Sequence, residues 1–308
     1  LLKPSSASLY FALFIGVLAL STSAIFVKLS SAPAPMVAFY RMLFSTMLIL
    51  PWLSLQKTSR SEFKALHIKQ IGIMVLSGVL LAVHFILWFE SLRYTSVASS
   101  TVLVTLQPVF TFVGSYFLFQ ERLRGLAIMG GVLALIGSFI IGMGDFRIGG
   151  EALFGDILAL LGAAVIAIYF LIGKSVRQVT SLPTYSFIVY GSSSVFLAVY
   201  CGVLGYPFQG HSQQDWLLFA GLALIPTLFG QTVMNGLIRW MSPSTISMSI
   251  LGEPVGTCIL AYFLLGERLT IEQLIGSFVI LLGIFFYSLF SRTPAPTKPK
   301  IAKNVHSS

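Results

Sequence analysis

Charge is scarce in this chain: Asp, Glu, Lys and Arg make up 9% of its 308 residues. The surface of a water-soluble globule needs about a quarter of its residues charged, so an ordinary soluble domain is ruled out. Cysteine is scarcer still. Cys201 and Cys258 are the only two; both fall inside apolar runs and neither has a second Cys or a His at ligand spacing, so neither a disulfide framework nor a metal site is expected. Nucleotide-binding signals are equally thin. Gly173-Lys174-Ser175 has the tail of a phosphate-binding loop, but that motif needs a glycine where Ile168 stands and a strand before it. No cofactor is expected, and any uphill work must draw on an ion gradient.

Apolar residues are plentiful: 56% of the chain is hydrophobic and the mean hydropathy is +0.91. The runs have the length of a bilayer crossing, about 20 residues, where barrel strands would show alternating segments of about 10. Ten spans are predicted: Ser8–Val27, Met36–Leu55, Ile71–Phe89, Val97–Phe119, Leu126–Gly144, Leu153–Gly173, Pro183–Gly205, Trp216–Leu237, Thr245–Leu265 and Ile271–Phe290. The fold class is therefore an all-α integral membrane protein. The first run has a signal peptide's flanks, with Lys3 before it and Ala32-Pro33-Ala34 after it. It is as long as a true span, and Lys28 interrupts the approach to that site, so it is read as a membrane helix.

Orientation follows from the Lys and Arg residues, which accumulate in cytoplasmic loops. An inside N-terminus puts fourteen of the nineteen on the cytoplasmic side and four (Lys28, Arg93, Arg147 and Arg268) outside, leaving Arg41 within a span. Both termini are then cytoplasmic and the cytoplasmic membrane is the expected location. The net charge of +9 is accounted for by this topology and does not imply nucleic acid. Residues 293–308, rich in Pro, Lys and Ser, are expected to be a disordered cytoplasmic tail.

The chain also repeats itself. Residues 91–142 and 237–288 align without a gap at an offset of 146, pairing Arg93 with Arg239, Gln107-Pro108-Val109 with Glu253-Pro254-Val255, Glu121-Arg122-Leu123 with Glu267-Arg268-Leu269, Gly130 with Gly276 and Gly137 with Gly283. Upstream, Gly16 meets Gly162 and Lys28 meets Lys174. An odd number of spans separates the copies, which makes the architecture a 5+5 inverted repeat. The halves are placed at 1–145 and 146–292.

Polar groups at membrane depth are costly and are candidates for function. Gln107-Pro108 and Glu253-Pro254 occupy the same mid-span slot, where proline frees a backbone carbonyl that only protein or water can face. Two pseudo-symmetric broken helices point to a binding site. Polar stripes at four-residue spacing accompany them: Gln107, Thr111 and Ser115; Ser249, Glu253 and Thr257; and Thr227, Gln231, Asn235 and Arg239 in the eighth span. The third span adds His84 and Trp88, one turn apart, and a Glu90–Arg93 pair near the outer surface. For His84 a hydrogen bond to a neighbouring helix competes with substrate contact, and Trp88 offers a face for stacking. Slots whose polarity differs between the halves single out Gln107 against Glu253, His84 against Gly230, Phe85 against Gln231, Phe89 against Asn235, and Arg41 against Phe187. Lys28 and Arg41 are placed near the outer face, either lining an exit and countering an anionic group or snorkelling to the interface. The candidate substrate-binding set is Gln107, Glu253, His84, Trp88, Gln231, Asn235, Lys28 and Arg41. Gly252-x-x-x-Gly256 is read as close helix packing and Thr270-x-x-Gln273 as a capping box. Glu121-Arg122 and Glu267-Arg268 are read as helix-end features.

The ten-span count in two halves, the Met36-Val-Ala-Phe-Tyr-Arg41-Met-Leu-Phe segment, and the Gln107-Pro108 to Glu121-Arg122-Leu123 and Glu253-Pro254 to Gly266-Glu267-Arg268-Leu269 segments resemble the drug/metabolite transporter superfamily, specifically EamA-type carriers. The resemblance covers nearly the whole chain. It implies movement of small metabolites, often amino acids or related compounds, outward through a central cavity, with the Glu253-Pro254 equivalents near that cavity. The expected activity is secondary transport by alternating access, not enzymatic chemistry. Coupling is to protons through Glu253 or His84, or else exchange is uncoupled. A lipid flippase or channel on the same fold is the alternative, and a membrane enzyme would need a reactive cluster at one membrane face that the sequence does not show. The expected partners are a small-molecule substrate, membrane lipids and protons; no partner-binding domain is present.

Overall fold

The computed structural model describes residues 4–95, 97–142, 150–266 and 268–291. It contains α1 (Ser6–Leu29), α2 (Ala34–Leu55), α3 (Lys57–Ala65), α4 (Ile68–Tyr94), α5 (Val97–Val104), α6 (Gln107–Phe119), α7 (Gly125–Gly142), α8 (Glu151–Val176), α9 (Leu182–Val203), α10 (Gln213–Leu222), a π-helical segment (Ala223–Gln231), α11 (Thr232–Leu237), α12 (Pro243–Ile250), α13 (Glu253–Leu265) and α14 (Ile271–Phe290). Ten of these, singly or joined end to end, are long and apolar enough to cross a membrane. Large apolar side chains such as Phe11, Phe117, Leu217 and Phe263 are exposed on the outside, while Arg41, Gln107, Asn235 and a set of serines and threonines are buried inside. Polar side chains in and apolar ones out is what a hydrocarbon solvent selects. Lys3, Arg147, Glu267 and the tail 293–308 lie outside the described residues.

The fourth span consists of α5 and α6 with a turn at Thr105–Leu106, and the ninth of α12 and α13 with a turn at Leu251–Gly252. Pro108 and Pro254 each sit in the first turn of the second half-helix, where a missing amide donor costs little. The expected broken helices are thus both present, and Gln107 and Glu253 each open the helix that follows a break. The capping box is also formed: Thr270 Oγ1 accepts from the Gln273 amide at 3.2 Å and Gln273 Oε1 from the Thr270 amide at 3.1 Å. Helix α3 was not expected. Its residues form an amphipathic connection whose Glu62 carboxylate accepts from the Ser181 amide at 2.8 Å and whose Phe63 meets Phe187 edge-on.

Inter-repeat packing obeys a pseudo-two-fold. Helix α1 lies against the eighth span and α13, as α8 lies against α4 and α6; α2 faces α9, and α7 faces α14. The register holds to the residue. A methyl at Gly16 would meet Val233 and Met234, and one at Gly162 would lie nearest Leu87 and Trp88, each partner displaced by the same 146 positions. Along α7 and α14 the backbones touch through the paired glycines. An added Cβ would stand 2.8 Å from the Gly283 carbonyl at Gly130, 2.7 Å from the Gly276 carbonyl at Gly137, 2.6 Å from the Gly137 carbonyl at Gly276, and 2.7 Å from the Gly130 carbonyl at Gly283. Gly256 likewise lets α13 reach α1, where a Cβ would collide with Ser21 Oγ. The small-residue motif around Gly252 is therefore a packing contact.

Candidate functional site

Arg41 enters the bundle interior from α2. Its Nε donates to Thr227 Oγ1 at 2.8 Å and its Nη1 to Ser23 Oγ at 3.0 Å, and its guanidinium lies 5.2 Å from the Phe85 ring centroid. It is 6% exposed, so the snorkelling account fails: the side chain is bound inward by hydroxyls from the first and eighth spans. Among the described residues no carboxylate lies within 4.0 Å of it.

Thr227 is held in place by the π-helical segment. Pro226 cannot donate to the helical ladder, and Thr227 Oγ1 and Thr232 Oγ1 instead donate five residues back, to Leu222 O at 2.8 Å and Thr227 O at 3.0 Å. Wide helical turns of this kind favour functional positions. Sequence reading at four-residue spacing missed the segment, although Pro226 inside an apolar span, directly before Thr227, was the available signal.

Glu253 stands at the first position of α13, where the helix dipole favours a negative charge. It is enclosed by protein but keeps partial accessibility and has no hydrogen bond from any described residue. Its charge and that of Arg41 act on one another without contact. The site thus has a cationic and an anionic pole, contributed by different repeats, with no ion pair between them. On the third span, His84 Nδ1 is 3.0 Å from the Gly162 carbonyl. A carbonyl only accepts, so Nδ1 carries the proton and Nε2 is left with a lone pair. The His84 and Trp88 rings stack at 6.3 Å, and Trp88 Nε1 is buried without a partner.

Other candidates have structural partners. Gln107 Nε2 donates to Ser247 Oγ at 3.1 Å, and Thr111 Oγ1 meets the same hydroxyl at 2.9 Å, which ties the fourth span to the ninth. Asn235 accepts from Tyr169 OH at 2.8 Å and donates to Tyr190 OH at 3.3 Å; Tyr190 OH lies 2.8 Å from Thr232 Oγ1. Tyr185 OH pairs with Ser77 Oγ at 2.9 Å. These three tyrosines are fully buried, and sequence reading missed them because tyrosine in a membrane chain is ordinarily an interfacial residue. Lys28 is exposed in the last turn of α1. Glu90 and Arg93 form the expected ion pair at 3.0 Å.

Gln231 and Asn235, one turn apart, differ in their surroundings. Gln231 Nε2 is buried with no hydrogen bond of good geometry from a described residue, its side chain only approaching the Tyr169 hydroxyl, whereas Asn235 satisfies two buried hydroxyls. Asn235→Leu is expected to lower the thermal midpoint of the purified protein by the equivalent of about 1–3 kcal/mol, the cost of orphaned buried groups. Gln231→Leu is expected to leave the midpoint within about 0.5 kcal/mol of native while impairing solute movement. Equal midpoints for the two variants would refute the distinction.

Ten apolar helices in two repeats around a polar interior define a duplicated multi-pass membrane protein. Residues 7–143 and 153–289 each match the EamA-like transporter family, and the chain belongs to that family. Among its relatives is an uncharacterized transporter of Archaeoglobus fulgidus, 24% identical over 273 residues, covering 89% of this chain and 93% of the relative. Another, from Clostridium kluyveri, is 25% identical over 223 residues, covering 69% and 70%. One solved crystal structure superposes with a TM-score of 0.78 at 17% identity, covering 94% of this chain and 99% of that one; at that identity it speaks for the fold alone. Family and relatives make the protein a transporter with a small-molecule substrate.

Proposed function

We propose that the protein is a secondary carrier of the cytoplasmic membrane that exports a small zwitterionic metabolite, an amino acid or related compound, by alternating access between repeats 1–145 and 146–292. Both termini face the cytoplasm. The observation that carries this reading is the pair of opposite charges, Arg41 and Glu253, which are enclosed in the bundle and act on one another without forming an ion pair. A bare buried charge is strongly unfavourable, and each becomes acceptable when a ligand of the opposite sign supplies its partner. A substrate carboxylate suits the planar donor fork of Arg41, and a substrate ammonium suits the Glu253 carboxylate. Phe85 offers aromatic surface beside Arg41, and Trp88 stacks on His84 on the same helix. Coupling to protons runs through Glu253 or His84, with uncoupled exchange as the alternative.

The test is a thermal-shift panel on purified protein with each amino acid in three forms: zwitterion, N-acetyl (anion only) and amide (cation only). A zwitterion at about a hundred times its Kd adds about 2.7 kcal/mol of stability, and the two blocked forms are expected to add far less. Equal stabilisation by all three forms, or by none, would overturn the reading. Movement of labelled lipid in liposomes at rates matching solute uptake would favour a flippase instead.

A further inference from the structure

The short helix α3, which joins the second and third spans, has two unlike faces. Helical residues advance by about 100° each, which puts Ser59, Glu62 and Phe63 on one side and Lys57, Arg60 and Lys64 on the other. The first set packs on the start of α9. Ser59 is fully buried, and its carbonyl accepts from Thr184 Oγ1 at 3.4 Å. Glu62 accepts from the Ser181 amide at 2.8 Å, and Phe63 meets Phe187 edge-on. The Glu62 charge also acts on Arg177, whose Nε donates to the Asn235 carbonyl at 2.9 Å. The helix is therefore tied to the connection between α8 and α9 and, through Arg177, to the end of the eighth span.

Lys57, Arg60 and Lys64 are all exposed, and among the described residues none of the three is in a salt bridge. Glu62, the one carboxylate of this helix, is on the opposite side. The flanking residues set the depth of the basic face. Trp52 and Leu55 in the last turn of α2 are 43% and 83% exposed, and Ile68 at the start of α4 is 73% exposed. Apolar side chains turned outward on both flanks of a membrane helix pair meet lipid, and tryptophan favours the headgroup level. A three-cation face held between them stands at the bilayer surface, where the phosphates of the surrounding lipids are the nearest abundant anions.

We propose that the Lys57–Arg60–Lys64 face of α3 binds the headgroup phosphates of anionic phospholipids and so holds α3, with the α8–α9 connection behind it, on the bilayer surface. Each lysine or arginine near an anionic surface strengthens binding about fivefold, and three acting together favour anionic over neutral lipid on the order of a hundredfold. The proposed orientation assigns this face to the cytoplasmic leaflet, whose surface potential is negative. The inference depends on neither the substrate nor the coupling ion, and it gives the protein a lipid requirement separate from its cargo.

Hydrogen–deuterium exchange of the full-length protein in nanodiscs tests this, with discs of phosphatidylcholine alone compared with discs of phosphatidylcholine and phosphatidylglycerol. Exchange over residues 57–65 is expected to be slower on the order of tenfold or more in the mixed discs, and the protection to fade at high salt. The triple variant Lys57→Gln/Arg60→Gln/Lys64→Gln should lose the protection while matching native exchange in the neutral discs. Lys64→Gln alone, at one exposed position, should lose about fivefold and carries the test should the triple variant not fold. Arg122→Gln/Arg124→Gln, which removes two exposed cations from the loop before α7, should keep the protection. Equal exchange over 57–65 in the two kinds of disc would overturn the proposal. So would loss of the protection in the Arg122/Arg124 variant, which would mark a general attraction of the charged surface. Protection by inorganic phosphate in neutral discs would make the face a free-anion site and overturn the lipid assignment. Both leaflets of a disc have the same composition, so the outcome does not depend on which way the protein faces.

Discussion

Glu253→Gln is expected to abolish pH-driven accumulation of substrate while leaving substrate exchange across the membrane intact at saturation. The amide keeps the shape of the carboxylate and its hydrogen-bonding reach, but neither releases a proton nor balances an ammonium. Losing a charged hydrogen bond costs about 1.5–3 kcal/mol, so KM is expected to rise on the order of ten- to a hundredfold with little change in the maximal exchange rate. The scaffold accepts glutamine in this setting: Gln107 fills the paired slot and bonds Ser247 at 3.1 Å. Uptake and counterflow in proteoliposomes with an imposed pH gradient separate the two activities. A variant that still concentrates substrate with native pH dependence would make Glu253 structural and place the coupling elsewhere.

Gly137→Leu is expected to prevent recovery of folded protein, and Gly137→Ala to lower the thermal midpoint by the equivalent of about 1–3 kcal/mol, the usual range for overpacking. A Cβ at this position would stand 2.6 Å from the Ile280 amide nitrogen and 2.7 Å from the Gly276 carbonyl. Both are backbone atoms, which cannot swing aside as a side-chain tip can. The control is Gly72 in α4, whose Cβ would have nothing within 4 Å. Gly72→Ala is expected to be neutral or to gain up to about 1 kcal/mol from helix propensity. Equal midpoints for the Gly137→Ala and Gly72→Ala proteins would show that the close contact between α7 and α14 carries no stability.

Features governed by local sequence are legible in the order of residues alone. Span number follows from hydropathy, the repeat from its offset, and the breaks at Gln107 and Glu253 from proline in matching slots. The Thr270 capping box is local in the same way. Contacts made across the chain are not legible. Arg41 can be placed in a span but not joined to Ser23 and Thr227, which lie in α1 and the π-helical segment. The Tyr169–Asn235–Tyr190 network joins three spans, and no spacing within one helix announces it. Gln107 and Glu253 are equivalent in pattern; they separate only because Ser247 occupies the first and no described side chain bonds the second.

The glycine seam also sets an order of events during synthesis. Gly130 and Gly137 face Gly283 and Gly276, so a backbone-to-backbone contact joins the fifth span to the tenth. Four spans must leave the ribosome between those partners. The first five helices therefore wait in the bilayer with the α7 glycine face turned to lipid, and they gain its packing energy only when α14 arrives. Close packing of this seam marks the end of assembly, which makes the last helix the one that commits the earlier nine to a single arrangement.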